Sequence, residues 1–379
     1  MTTVLLATPY YPPSLGGVQQ YVWNLARMLR KRHGWRVVVA TTSDAESTDD
    51  IPVYRLPVAG RISNTPVGVG WTRALRRIIR DEQIDVINAH GPVPLFADAA
   101  RRAAGDVPFV LTYHAGRMRT GRFLPDMVCA IYEKTVLAAT ARRSAQLICA
   151  SDHVADELPE LFDGRHITIE PGADLELFRP APLPDEQRIV FAASLEHQTA
   201  YKGLPDLLRA VVRLDGVHLE VVGTGSAEGD HRRLAAELGI AERVTFAGHL
   251  KGADLAAAYR RARVLALPTH FDNYPTVIVE AMATGRPIVS TRVGAIPTVV
   301  GSGERGLLVD AGDIPALTGA LRAVLTDDEL AGRLGAAGAA FVANELSWNR
   351  QSDRTAEVLA RNLQRRQDRP VVAARKIVN

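Results

Sequence analysis

The sequence is poor in the features that define several protein classes. It has two cysteines, Cys129 and Cys149, in 379 residues. That excludes a disulfide framework and a cysteine-rich zinc site. Both lie in apolar surroundings and read as buried structural thiols. No apolar run approaches the roughly 20 residues of a membrane-spanning helix. The first run, Val4–Ala7, has no charged leader and no cleavage site, so a cytoplasmic protein is expected. The net charge is only +3, from 45 basic and 42 acidic residues, too small a balance to mark a nucleic-acid binder. The glycine pair that follows the first strand, Gly16–Gly17, is not a G-x-G-x-x-G dinucleotide fingerprint, and none of the usual metal-ligand spacings occurs.

What is present is ordinary for a globular chain. Hydrophobic residues make up 47% and charged residues 23%, which excludes a disordered chain. At roughly 150 residues per domain the length suggests about two domains, each able to bury its own core. The charge is unevenly spread. Arg361–Asn379 holds six basic residues and one acid, net +5, so the rest of the chain carries −2. A second basic stretch, Arg101–Arg143, has eight basic and three acidic residues.

Short apolar runs alternate with helical patterns. Val4–Thr8, Arg36–Thr42, Asp85–His90, Phe109–His114 and Leu147–Ser151 read as strands buried on both faces of a parallel sheet. Val18–Arg32, Thr72–Asp81 and Met127–Arg142 have helical spacing. Glu170–Gln187, with four prolines and no periodicity, reads as an interdomain linker. Alternation then resumes with strands at Arg188–Ala193, Leu219–Val222, Val244–Ala247, Val264–Leu267, Ile288–Ser290 and Leu307–Val309. The helices between them are Leu204–Leu214, Arg232–Leu238, Asp254–Arg263 and Thr276–Ala283. Ile314–Leu363 reads as helical apart from turns such as Glu345–Trp348. The pattern predicts an α/β chain of two doubly wound domains facing across a cleft.

Four motifs could carry chemistry. Gly16–Gly17 joins the first strand to the first helix, where glycines permit close backbone approach and a helix start attracts anions. A simple glycine-rich turn would look the same. His114 ends a buried strand, as His90 does, and could hold a hydroxyl or be a satisfied core histidine. Lys202–Gly203 heads a helix, where a cation is unfavourable unless an anion lies between. A solvated surface lysine is the plain alternative. The fourth motif is HFDNYPTVIVEAMATGRPIVS. Asp272 and Glu280 stand with seven residues between them, one in a loop and one on the following helix. They can hold two parts of one polyol ligand. Backbone N–H groups around Tyr274–Val277 cap the same helix end and can bind a phosphate.

At this motif the chain resembles the retaining family 4 glycosyltransferases. The resemblance covers nearly the whole chain, to about residue 350. Its hallmark is an acid, seven residues, then E-A-M-A-x-G-x-P-I/V-V, here Asp272 and Glu280 to Val289. P-x-x-G-G-V, the histidine of T-Y-H, G-A-D-L-E-L-F-R-P and the Lys–Gly pair also fall where that family has them. The resemblance implies the two-domain B-type glycosyltransferase (GT-B) fold, with C-terminal helices crossing back to the N-terminal domain. It implies an acceptor-side domain at 1–175, a nucleotide-sugar domain at 176–345, and a C-terminal helix with a basic tail at 346–379.

The resemblance also implies roles. Glu280 would bind the ribose hydroxyls of a nucleoside-diphosphate sugar, with a UDP-sugar favoured. Asp272, where the family usually has glutamate, and His114 would contact the transferred sugar. Lys202 would neutralise the diphosphate. Gly16 and Gly17 would admit the donor phosphate and the acceptor, and the backbone at Tyr274, Pro275 and Thr276 would bind the diphosphate. Many relatives have Gly–Arg–Leu where this chain has Ala193–Ser194–Leu195. Ser194 carries no charge, which leaves His197 and Tyr201 as candidate substitutes. The implied reaction is metal-free, same-face hexosyl transfer without a cofactor. The acceptor would be a cell-envelope lipid or polysaccharide precursor or a natural-product aglycone. Arg117, Arg119 and Arg122 could meet an anionic acceptor or the inner membrane face. A sugar-nucleotide epimerase of the same fold and a non-catalytic sugar-nucleotide binder are the alternatives.

Overall fold

Runs of Val, Ile and Leu separated by amphipathic helices pair in parallel, because each crossover helix returns the chain to the same end of the sheet. In the computed structural model, which describes residues 1–13, 16–43, 50–62, 65–118, 123–301 and 303–367, these runs build two sheets. The first contains β1 (Thr3–Ala7), β2 (Arg36–Thr41) and β3 (Val53–Arg55). After an antiparallel hairpin of β4 (Gly60–Ile62) and β5 (Thr65–Val67), it continues with β6 (Val86–Gly91), β7 (Phe109–Tyr113), β8 (Gln146–Cys149) and β9 (His166–Thr168). Its seven strands run in the order β3-β2-β1-β6-β7-β8-β9. The second sheet contains β10 (Arg188–Ala192), β11 (His218–Val222), β12 (Val244–Gly248), β13 (Val264–Leu267), β14 (Ile288–Thr291) and β15 (Gly306–Val309). Its six strands run β12-β11-β10-β13-β14-β15. The pairings within both sheets are parallel. The central strands β1 and β13 are wholly buried, as helices on both faces require.

The chain divides into two compact units, residues 1–169 with those from 352 onward, and residues 170–351. Each sheet reverses its strand order once, at β1/β6 and at β10/β13. In such sheets the crevice beyond the carboxyl ends of those strands is where ligands bind.

The anticipated strands and helices are present, with ends displaced by a few residues. The strands β3, β4, β5 and β9 have three residues each, too short to show a period. Helices Phe96–Ala103 and Ile296–Val300 were likewise not anticipated. The helix expected at Met127–Arg142 begins at Phe123 and passes through a π-helical stretch, Glu133–Leu137. One expectation is corrected here. Cys149 is buried, and burial pushes its thiol up to about 12. Cys129 is partly exposed, because the helix Phe123–Tyr132 that carries it has no buried residue.

Residues 170–187 form no helix or regular strand, as their proline content dictates, and pack along the second unit. Ala173 N donates to Leu346 O at 2.8 Å, and Trp348 N donates to Ala173 O at 3.0 Å. Arg286, fully buried, donates to the carbonyls of Ala181, Pro182, Thr284 and Ala262. The last helix, Trp348–Gln367, starts in this unit and belongs to the first unit from Ser352 on. There Arg32 and His33 hold Asp353 at 2.8 and 3.0 Å.

Candidate functional site

In the second unit, the chain leaving β10 turns through a 3₁₀ segment, His197–Lys202, before its next helix. Gly203 lets that turn close onto the end of β13. Its φ is +81°, and a Cβ there would lie 1.9 Å from Pro268 O. Tyr201 O then accepts from His270 N at 2.7 Å and from Thr269 Oγ1 at 3.0 Å. His270 Nε2 meets Asp206 Oδ2 at 2.7 Å. These bonds bring Lys202 Nζ to 2.6 Å from Asp272 Oδ2, with only 8% of the Asp272 side chain exposed. Tyr201 lies beneath the ammonium, its ring centre 5.3 Å away. Asp272 is held from the other side by Gly294, with φ +54° and room for a Cβ only 1.6 Å from Asp272 O.

Beyond Asp272 the chain enters the helix Thr276–Ala283. This helix has no side-chain cap and no acid in its first turn, so among the described residues the N–H groups of Thr276 and Val277 are open to an anion, while Ile278 N donates to Pro275 O at 3.1 Å. Glu280 lies on its last turn and accepts from Tyr259 OH at 3.2 Å. It keeps some solvent exposure, yet the protein around it raises its carboxyl to about 7, an effect the Tyr259 bond only partly offsets. The Tyr274 hydroxyl is buried without a partner among the described residues, and burial raises its pKa.

The Glu280 shift has a stability consequence. Between about 4.5 and 7 the folded chain holds a proton here that the unfolded chain has released. This carboxyl therefore lowers stability as pH rises through that window. Relative to Glu280→Gln, the wild type should lose stability between pH 5 and pH 8, on the order of 1–3 kcal/mol. Urea midpoints of both proteins at the two pH values check this.

The weaker candidates lie near Lys202 but do not converge on it equally. Ser194 is exposed, and its carbonyl accepts from Thr199 Oγ1 at 2.8 Å. His197 is 63% exposed and faces Asp230 at 3.8 Å. Two glycines outside the anticipated set shape this loop. A Cβ on Gly223 would lie 1.8 Å from Ala193 O, and one on Gly225 would lie 2.2 Å from the Leu195 carbonyl carbon. Their signal was legible as G-T-G at the end of β11. Tyr259 left no comparable signal.

In the first unit, Gly16 and Gly17 open the helix Gly17–His33 directly after β1. This helix start also lacks a side-chain cap and an acid. Gly16 has φ +153° and a Cβ would strike Gln19, whereas a Cβ on Gly17 would meet nothing within 4 Å. At the ends of β6 and β7, His90 Nδ1 and His114 Nε2 stand 2.9 Å apart with nearly parallel rings, and Tyr21 packs edge-on against both. Burial lowers both imidazoles, His114 to about 3, so both are neutral near pH 7. His90 was noted in the sequence only as an equivalent strand end; its role beside His114 needed the parallel register of β6 and β7. Arg117 pairs with Glu160 at 2.8 Å and lies 3.8 Å from Glu133, so its charge is neutralised within the unit. Arg119 and Arg122 lie outside the described residues.

Comparison with known proteins fits this geometry. The family described as Glycosyltransferase Family 4 matches residues 15–177, and Glycosyl transferases group 1 matches residues 186–327. The D-inositol 3-phosphate glycosyltransferase of Mycobacterium marinum is 33% identical over 95% of this chain and 86% of its own length. The chain belongs to glycosyltransferase family 4. This family 4 enzyme is thus a retaining glycosyltransferase that uses a nucleotide-sugar donor. A further family relative, the GDP-mannose-dependent alpha-(1-6)-phosphatidylinositol monomannoside mannosyltransferase of Mycobacterium tuberculosis, is 27% identical over 95% of this chain and 98% of its own. Sucrose-phosphate synthase from Thermosynechococcus elongatus superposes with a TM-score of 0.79 at 22% identity, covering 96% of this chain and 99% of its own. That likeness establishes the GT-B fold for the enzyme.

Proposed function

We propose that this enzyme transfers a hexosyl group from a nucleoside-diphosphate sugar, with a UDP-sugar favoured, to a hydroxyl of a phosphate-bearing inositol, free or as a lipid head group. The observation that carries the donor half is the Lys202–Asp272 pair beside the uncapped start of the helix Thr276–Ala283. A cation and a helix start without a side-chain cap suit a diphosphate, and a carboxylate beside them suits sugar hydroxyls. The acceptor half is supported by relatives, whose names specify D-inositol 3-phosphate and a phosphatidylinositol monomannoside. The name of the second also keeps GDP-mannose as the competing donor.

In this reading Glu280 accepts from the ribose hydroxyls and Lys202 faces the diphosphate. The backbone at Tyr274, Pro275 and Thr276 completes the diphosphate contacts. Asp272 and neutral His114 hold the transferred sugar. When His90 Nδ1 donates to His114 Nε2, the His114 proton lies on Nδ1, where it can donate to a sugar hydroxyl. Gly16 and Gly17 leave the first helix start open to phosphate or acceptor. The acceptor oxygen bonds to the anomeric carbon while the carbon–phosphate oxygen bond breaks. The acceptor proton passes to the departing phosphate on the same face. Charge grows on that phosphate, so fixed donors and Lys202 stabilise the transition state more than the ground state. With a lipid acceptor the reaction takes place at the inner membrane face.

Mass spectrometry of reactions pairing UDP-glucose, UDP-N-acetylglucosamine or GDP-mannose with inositol 3-phosphate or phosphatidylinositol vesicles tests this. A hexosyl-adduct mass on an inositol acceptor is the expected result. Donor hydrolysis with no inositol adduct in any pairing overturns the acceptor assignment.

A further inference from the structure

The helix Phe123–Tyr132 is poorly covered by the rest of the first unit. None of its residues is buried, and Phe123, Leu124, Val128 and Ile131 are 82, 65, 62 and 56% exposed. With Met127 they stand at i, i+1, i+4, i+5 and i+8, one continuous stripe. Leu95, also exposed, adjoins them where its N–H meets Tyr132 OH at 3.3 Å. Six of the twelve exposed large apolar side chains among the described residues therefore gather here. Isolated exposed apolar residues are ordinary, but a stripe of this kind marks an interaction surface.

The same helix continues to Arg142. Over Glu133–Ala141 its inner side is buried by Glu133, Leu137, Ala138 and Ala141. This half anchors the helix and leaves the apolar half standing off the core. The twenty residues span roughly 30 Å. Cavities of about 730 and 430 Å³ flank it. Lys134, Arg142 and Arg117 line the first together with Asp126, Glu133 and Glu160, and Arg101, Arg102 and Arg143 line the second together with Asp98. Among the described residues none of Arg101, Arg102, Arg142 and Arg143 has a carboxylate within 4 Å. The acids nearby are engaged. Asp98 accepts from Tyr132 OH, Thr140 Oγ1 and Leu95 N, and Glu133 and Glu160 face Arg117. Arg143 sits close enough to Arg101 for their repulsion, with burial, to lower the Arg101 pKa.

We infer that this helix docks the enzyme on an anionic bilayer, with its apolar stripe among the upper acyl chains and the flanking arginines at lipid phosphates. An apolar stripe succeeded by unneutralised arginines is the pattern of an interfacial helix. A second copy of the chain fits less well, since pairing through this face would set one arginine-rich rim against another. The biological purpose rests on the lipid-acceptor reading above, whereas the surface stands on exposure and charge alone.

Vesicle sedimentation of the full chain tests it, with phosphatidylcholine alone and with about one-third phosphatidylglycerol. Wild type should partition onto the anionic vesicles and release in high salt. A Phe123→Ser, Val128→Ser, Ile131→Ser variant should lose at least tenfold in partitioning. Arg102→Gln, Arg142→Gln, Arg143→Gln should lose the preference for anionic vesicles. All six side chains substituted are exposed, and unchanged nucleotide binding by calorimetry confirms the fold and separates this result from the donor-site reading. Equal partitioning of wild type and the serine variant would overturn the inference. So would a wild-type dimer that the serine variant converts to monomer without any vesicle binding by wild type.

Discussion

Lys202→Ala is expected to lower kcat/KM by roughly 10²–10⁴ while the chain stays folded. The ammonium sits 2.6 Å from Asp272 at the carboxyl end of the β10/β13 crevice. In the proposed reaction it faces the phosphate on which charge develops. Removing one fixed donor from such a centre costs about 10²–10³ in rate. Here the loss is compounded, because Asp272 would remain largely buried without its cation. The effect should fall mainly on kcat, since the charge grows only as the bond to the anomeric carbon breaks. Steady-state rates with a saturating acceptor check this. A variant within threefold of wild type would remove Lys202 from the mechanism.

The second large effect is steric. Gly294 and Gly252 have almost the same backbone, with φ +54° and +55°. Alanine at either must adopt a left-handed conformation, at a cost of about 1 kcal/mol. They differ in what the new methyl group meets. At Gly252 nothing lies within 4 Å, whereas at Gly294 the carbonyl oxygen of Asp272 lies 1.6 Å away. Gly294→Ala must therefore move the loop that carries Asp272, at roughly 1–3 kcal/mol beyond the backbone strain. In a unit of this size that is about 3–10 °C in Tm. Thermal melts of the two variants isolate the clash, because the strain is common to both. Gly294→Ala should also weaken donor binding, and Gly252→Ala should not. Equal melting temperatures would mean that the Gly294 turn is not what holds Asp272 in place.

These two cases show what could and could not be read in advance. The parallel strands were legible because a run such as Val4–Ala7 or Val264–Leu267 admits few other readings once helices alternate with it. Lys202, Asp272 and Glu280 were legible as residue types at informative positions. Their pairing was not, since Lys202 and Asp272 are 70 positions apart, and their contact depends on Gly203 closing onto Pro268. The raised carboxyl of Glu280 depends on how the fold desolvates it, and the partial offset comes from Tyr259, whose helix carries no motif. The helix Phe123–Tyr132 shows the converse. Its apolar spacing is the same whether the face is covered or bare, so Cys129 read as buried and stands partly exposed. Arg117 read as a candidate contact for an anionic acceptor or a membrane, and only the fold places Glu133 and Glu160 around it.

Calorimetric titration of UDP and GDP into wild type and Lys202→Ala tests the donor site most directly. Wild type should bind one of the two nucleotides at a single site, with affinity reduced at least tenfold in Lys202→Ala. No binding of either nucleotide to wild type, or equal affinity in the two proteins, would contradict the assignment of the β10/β13 crevice as the nucleotide-sugar site.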